Sequence, residues 1–410
     1  MPAEVSILLL QFRVKNYRSI GDEIVIDLTA GSGREHKDFL FDENGVGVLP
    51  VVSLYGANAS GKSNVFEAMI GMFYNVRLSH LNGNNKYFNA VPFLFNDQLR
   101  NEPTECEIFF KLGINEYQYG YKSTRAKVIE EWLYYRKHSK RETVSKPIFE
   151  RTEDELQFFG TYKNLERYRE LLNHNALILS VLGNRTVKET VKSETLFFDI
   201  IDWINTNLSF SLHHMTNNDS ISSLYYDEKL LVNNFLSFIQ EFDPSIQAID
   251  IKKEENESGT TKFEVYTKHN NKFYPLRIES DGTKKLFKLF IAIHLALTYK
   301  SITLLFDELD THLHPLILRR IVSMFHDKEQ NIMKSQLIFS SHNLTLLNRN
   351  EMRRDEIWFV EKDERGFTRA YSLDSFKTSK EEVRADLDYG KHYLAGRFGA
   401  IPYLNSGKKD

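Results

Sequence analysis

The chain has 410 residues, 41% of them hydrophobic, which suits one large or two ordinary domains around a packed core. Its 53 Lys and Arg against 56 Asp and Glu, a formal net charge of -3, exclude a general attraction to polyphosphate or acidic membranes, so any nucleic-acid contact needs a local patch. The single Cys106 excludes an internal disulfide framework and a thiolate metal cage, reads as a buried free thiol, and fits a reducing compartment.

The opening SILLLQF is too short for a signal core and is followed by no cleavage site. LLLQFRVKNYRSI, EIVIDLTA and GVLPVVSLYG read as three strands. The third runs into LYGANASGKSN, residues 54–64, where Gly56, four residues, Gly61, Lys62 and Ser63 have the spacing of a phosphate-cradling loop. Backbone N–H groups, a lysine and a hydroxyl in that arrangement suit a nucleoside triphosphate with Mg²⁺. Gly56, Asn58, Ser60, Gly61, Lys62, Ser63 and Asn64 are therefore candidate ATP-binding residues, with Ser63 also a candidate Mg²⁺ ligand. In the following SNVFEAMIGMFYNV, Val65, Met69, Met72 and Val76 recur at helical spacing and predict a helix with its methionine stripe in the core.

From about 104 to 160, ECEIFFKLG, EYQYGYKS and VIEEWLYYRK predict a β-meander and a second sheet. Residues 161 to 240 read as mostly helical, with Leu165, Tyr168 and Leu172 on one stripe. No heptad run lasts three repeats, so long coiled-coil arms are not expected. FEVYTKHNNKFYPLRI, 263–278, predicts a hairpin, after which strand, helix and strand alternate. The expected division is an N-terminal part of the core over 1–103, an inserted β-meander and helical lobe over 104–245, and a C-terminal part of the core over 246–410.

In IESDGTKKLFKLF, 278–290, Ser280 suits an N-cap, and a helix from about Gly282 would turn its positive end toward an anion; taken alone the segment is an ordinary capped helix. Its continuation LFKLFIAIHLALTY holds Lys288 and His294 and falls short of the roughly 20 residues of a membrane span. A cytoplasmic protein with no membrane contact is expected. SITLLFDELD, 301–310, is an apolar strand ending in carboxylates, with Asp307 placed for Mg²⁺ and Glu308 for polarising an attacking water. QLIFSSH, 336–342, supplies another strand end with His342, able to reach a γ-phosphate or position the water. His312 and His314, taken with His213 and His214, lack a third ligand at recognisable spacing, so zinc is not expected. The clusters Lys284, Lys285, Lys288 and Arg349, Arg353, Arg354 read as solvated faces.

VKNYRSI, GANASGKSN, ESDGTKKLF, LLFDELDTHLHP and IFSSHN, in this order, resemble ABC-class ATPases of the SMC/RecF branch. The chain looks most like the stand-alone RloA/AbiL-type ATPases linked to bacterial anti-phage defence, a likeness that extends to the tail HYLAGRFGAIPYL and is carried only in pattern over 104–245. It implies an α/β fold, an ABC-type P-loop head of mixed sheet and helices with an inserted α+β lobe. It assigns Lys62 and Ser63 to phosphate and Mg²⁺, Asp307 to Mg²⁺, Glu308 to general base and His342 to the switch histidine. It puts Ser280 and Gly282 on a signature loop that meets the γ-phosphate held by the opposite subunit, and Arg18 on the phosphates.

The implied partners are a second copy or more of the same chain, and a separately encoded effector nuclease, since the sequence has no TOPRIM-like acid cluster of its own. A RecF-like clamp on DNA is the alternative; a transporter motor normally has a fuller signature and lacks the NYRS opening. The chain departs from the pattern in having ESDGT for LSGGQ and His314 where the D-loop aspartate usually stands, and Gln98 is the candidate for the Q-loop glutamine.

Overall fold

The computed structural model describes residues 7–33, 35–43, 45–82, 88–137, 145–184, 195–209, 218–255, 261–376 and 388–402. Strand β1 (Ile7–Lys15) pairs antiparallel with β2 (Ile24–Asp27), and β3 (Phe41–Glu43) with β4 (Val46–Val48). β5 (Val51–Tyr55) follows, buried at all five residues. GVLPVVSLYG is thus two strands rather than one, parted at Leu49 and Pro50, where the proline has no N–H for a ladder. Helix α1 (Lys62–Leu78) starts from the loop after β5, and Val65, Met69, Met72 and Val76 are all buried, as their spacing predicts.

β6 (Thr104–Leu112), β7 (Asn115–Ser123), β8 (Val128–Lys137), β9 (Lys146–Arg151) and β10 (Leu156–Phe158) form the meander. It does not stand alone: the sheet order is β10-β9-β8-β7-β6-β1-β2, with Phe12 opposite Ile108 and Val14 opposite Cys106. The second sheet therefore takes two strands from the N-terminal segment. Cys106 is enclosed there, and burial pushes its thiol up to about 12.

Residues Gly160–Leu171 form a 3₁₀ helix rather than an α-helix. Its three-residue turn aligns Leu165 with Tyr168, buried and half-buried, and leaves Leu172 past its end. Helices α2 (Ile178–Gly183), α3 (Thr195–Ser209), α4 (Asn218–Asp227) and α5 (Lys229–Gln240) come next. α3 closes the first core with Phe197, Ile200, Trp203 and Ile204, against Phe73 of α1 and Phe110 of β6.

β11 (Ala248–Glu255), β12 (Thr261–His269) and β13 (Lys272–Pro275) make a three-stranded sheet, one strand more than the predicted hairpin. Asn270 and Asn271 turn that hairpin with φ of 48° and 65°, the left-handed pair a tight two-residue turn requires. The rest alternates as expected through α6 (Asp281–Thr298), β14 (Thr303–Phe306), α7 (Pro315–His326) and β15 (Gln336–Ser340), after which β16 (Ile357–Lys362) and β17 (Thr368–Ser372) follow with no α-helix between them, and then α8 (Tyr389–Leu394). The apolar run in α6 is buried in the second core, and no described helix is long and apolar enough to cross a membrane.

The second sheet of the core runs β14-β15-β5-β16-β17. β14, β15, β5 and β16 are parallel, so their carboxyl ends open on one side, where ligands of open α/β sheets bind. The fold is a mixed α/β P-loop ATPase architecture.

Candidate nucleotide-binding site

The loop after β5 is shaped by two glycines with no room for a side chain. A Cβ on Gly56 would lie 2.1 Å from the Val360 carbonyl of β16, and one on Gly61, at φ 106°, would lie 2.1 Å from Thr368 Oγ1. Thr368 Oγ1 donates to Ser60 O (3.0 Å) and shares a hydrogen bond with Ser19 Oγ (2.7 Å). Asn64 Nδ2 donates to Ser19 Oγ (2.5 Å), so this side chain ties the N-terminal loop to α1. Lys62 is 6% exposed, and its Nζ donates to Gly56 O (2.8 Å) and Ala57 O (3.1 Å). Burial lowers its pKa, and the charges of Asp307, Glu308 and Asp310 act the other way. A triphosphate would replace the two loop carbonyls as the partner of the ammonium. Asn58 and Ser63 are exposed, the latter at the positive end of α1, while Ser60 Oγ is buried without a partner among the described residues.

β14 ends at Phe306, and Glu308 takes a left-handed φ of 53°. Ser340, the last residue of β15, holds both acids: the Glu308 N–H donates to Ser340 Oγ (2.7 Å), and Ser340 Oγ donates to Asp307 Oδ1 (2.5 Å). The Glu308 carboxylate is exposed and accepts from Thr311 Oγ1 (3.3 Å). His342 is exposed beyond β15, and its backbone N–H donates to Asp310 Oδ2 (3.1 Å). Asp310 Oδ1 is buried without a partner among the described residues. The structure thus brings Lys62, Asp307, Glu308 and His342 to one sheet end and adds two residues that the motifs did not single out. Asp310 was legible only as one more acid in DELD, and Ser340 as a small residue before the histidine; neither type carries a signal until the strands are adjacent.

Among the described residues, no three His, Cys, Asp or Glu side chains sit close enough to hold a metal ion. One hydroxyl and one carboxylate, Ser63 and Asp307, nevertheless fit Mg²⁺, which takes few protein ligands and completes its shell with phosphate and water. His314 caps α7, its Nδ1 accepting from the Leu316 N–H (3.3 Å), while His213 and His214 lie outside the described residues.

A cavity of about 640 Å³ opens beside the loop, lined by Gly56, Asn58, His342, Glu361, Tyr393 and Ile401 among others. The C-terminal segment forms its outer wall. The Ala57 N–H donates to Ala400 O (3.0 Å), and the Ala400 N–H to Glu361 Oε2 (2.8 Å). The sequence showed this tail only as a likeness, without a role.

The other candidates have these contacts. Arg18 pairs with Glu67 of α1 at 2.5 Å and rests over the Tyr17 ring, so its guanidinium is engaged on the flank of the helix. Gln98 is on an exposed turn, where its Nε2 donates to Glu102 Oε1 (2.8 Å). Ser280 caps α6, accepting from the Thr283 N–H (3.1 Å), and a Cβ on Gly282 would stand 2.8 Å from His312 O. The basic clusters are not all solvated faces. Lys284 pairs with Asp281 at the surface, whereas Arg353 is fully buried with Asp355 (2.6 and 2.8 Å), and Lys285 points inward to the acidic loop.

A loop of this shape on a central parallel strand, with paired acids two strands away and a histidine-bearing strand between them, has the arrangement of a P-loop nucleotide site. The family described as "AAA domain, putative AbiEii toxin, Type IV TA system" matches residues 51–348, and the chain belongs to it. Among solved structures, the chain is similar to an SMC head bound to the C-terminal winged-helix domain of ScpA, at 15% identity over 90% of this chain and 99% of that one, with a TM-score of 0.48. It is also similar to the SMC head domain from Thermotoga maritima, at 16% identity over 89% of this chain and 98% of that one, with a TM-score of 0.42. A comparison with curated proteins finds no match.

Proposed function

We propose that the chain binds ATP with Mg²⁺ at Gly56–Ser63 and hydrolyses it, with Asp307 and Ser63 holding the metal, Glu308 as general base and His342 beside the γ-phosphate. The observation that carries this reading is the convergence, at one end of the parallel sheet, of Lys62 at the start of α1 with Asp307 and Glu308 after β14, two strands from β5, with the two acids tied together by Ser340. Mg²⁺, when bound, neutralises charge on the phosphates; the chain's own groups bind, orient and take the proton of the water. Glu308→Gln should keep ATP binding and lose turnover by roughly 10²- to 10⁴-fold, the contribution of a general base. Lys62→Ala should lose ATP binding itself. Phosphate release and binding of a fluorescent ATP analogue read the two effects, and wild-type turnover in Glu308→Gln would remove the assignment.

Two chains are proposed to sandwich two nucleotides, each offering Ser280 and Gly282 to the ATP of its twin. The described contacts of these residues run to Thr283 within α6 and to His312 of the acidic loop, so none of them occupies a residue of the chain's own phosphate loop. Sedimentation of Glu308→Gln with and without ATP tests this: a dimer that forms only with ATP is expected. The chain is further proposed to act in the cytoplasm as a sensor or regulator that controls a separately encoded nuclease in anti-phage defence. The defence-linked resemblance supports that role, as does a family description naming a toxin of type IV toxin–antitoxin systems. The near balance of 53 basic and 56 acidic residues favours a protein partner over a DNA clamp.

A further inference from the structure

Lys285 stands in the second turn of α6 and makes three hydrogen bonds to the backbone of the acidic loop. Its Nζ donates to Glu308 O (3.1 Å), Leu309 O (2.9 Å) and Thr311 O (2.9 Å), which uses all three donors of an ammonium. This loop carries two non-glycine residues in the left-handed region, Glu308 at φ 53° and His312 at φ 60°. Such a backbone persists only where its surroundings hold it. α6 supplies two holds, the lysine on 308–311 and Gly282 against the carbonyl of His312.

We propose that Lys285 is a positioning residue for ATP hydrolysis: by clamping these carbonyls it keeps Glu308 in the backbone state from which its carboxylate serves the reaction. The inference rests on the reading of Glu308 as general base. Lys285 acts through Glu308. The same helix carries Ser280 and Gly282 at its N-terminus, so a ligand seated there is joined to the base through one turn of helix.

Burial costs the Lys285 ammonium more than the facing carboxylates of Asp310 and Glu308 return, and its pKa falls to about 8. The unfolded chain holds this proton more tightly, so between about pH 8 and the unfolded value of about 10.4 the folded state gains stability as pH rises.

The test uses the full chain with ATP and Mg²⁺, as wild type, Lys285→Met and Lys285→Arg. Lys285→Met should lower kcat by about 10- to 100-fold, the scale of a misplaced catalytic group. Its affinity for a fluorescent ATP analogue should stay within about twofold. Amide hydrogen exchange over residues 308–312 should quicken in Lys285→Met without nucleotide, a readout independent of turnover. Wild-type turnover should decline as pH rises through about 8, where Lys285 gives up its proton, and Lys285→Arg should hold its rate across that range because a guanidinium stays charged. A decline caused by Lys62 would persist in Lys285→Arg. Wild-type kcat and exchange in Lys285→Met, or the same alkaline decline in Lys285→Arg as in wild type, would overturn the proposal. A wild type that binds no ATP or turns none over would instead overturn the reading of the site beneath it.

Discussion

Lys62 shows how one side chain can be both a ligand group and a structural one. Its ammonium donates to two carbonyls of its own loop, which keeps a buried charge hydrogen-bonded at 2.8 and 3.1 Å. Asp310, whose charge acts on Lys62, has one oxygen on the His342 backbone and the other buried without a partner among the described residues. Asp310→Ala removes the acceptor of the His342 N–H and part of the field on Lys62. A hydrogen bond to a charged group contributes about 1.5 to 3 kcal/mol, so turnover should drop by roughly 10- to 100-fold. Steady-state kinetics at saturating ATP check this, and an unchanged kcat would show that the proposed role of His342 does not depend on Asp310.

Between elements, the sheet and the phosphate loop are joined by contact at Gly56. β5 runs parallel to β16 with Tyr55 opposite Phe359, and the next residue must pass the Val360 carbonyl. A methyl group at 2.1 Å from a backbone oxygen cannot be absorbed by a rotamer change, so Gly56→Ala has to separate the two strands. Overpacking of this kind costs about 1 to 3 kcal/mol, and a lower melting temperature together with weaker ATP binding is expected. Calorimetry and titration with an ATP analogue measure both, and a variant with wild-type melting would show that β16 yields locally. The α6 cap and the 308–312 loop form a second junction, where a helix start and a strand end hold one another through Lys285 and Gly282.

At the scale of the molecule, the sheet that contains the meander begins with β1 and β2, and α1 lies in the core beneath it. Residues 104–245 cut from the chain would expose the β6 edge and lose the partners of Ile108, Phe110 and Trp203. We expect that fragment not to fold by itself, seen as an unstructured circular dichroism spectrum, while residues 1–410 give a cooperative melt. A folded fragment would show that the meander and its helices close a core without β1.

Local chemistry was readable from the chain alone. A glycine, lysine and serine at fixed spacing, a capping serine and an apolar strand ending in acids each follow from backbone and side-chain rules that act within a few residues. The hairpin turn at Asn270 and Asn271 and the methionine stripe of α1 belong to the same kind. Tertiary structure decided which of these meet: Ser340 between Asp307 and Glu308, Asp310 under His342, Lys285 on the acidic loop, Ala400 on the phosphate loop, and Glu67 on Arg18. Those pairs are separated by up to hundreds of positions along the chain and join through strand order and register. No periodicity encodes such contacts, because they arise only when β15 is seated between β5 and β14 and the burial of two cores fixes what lies next to what.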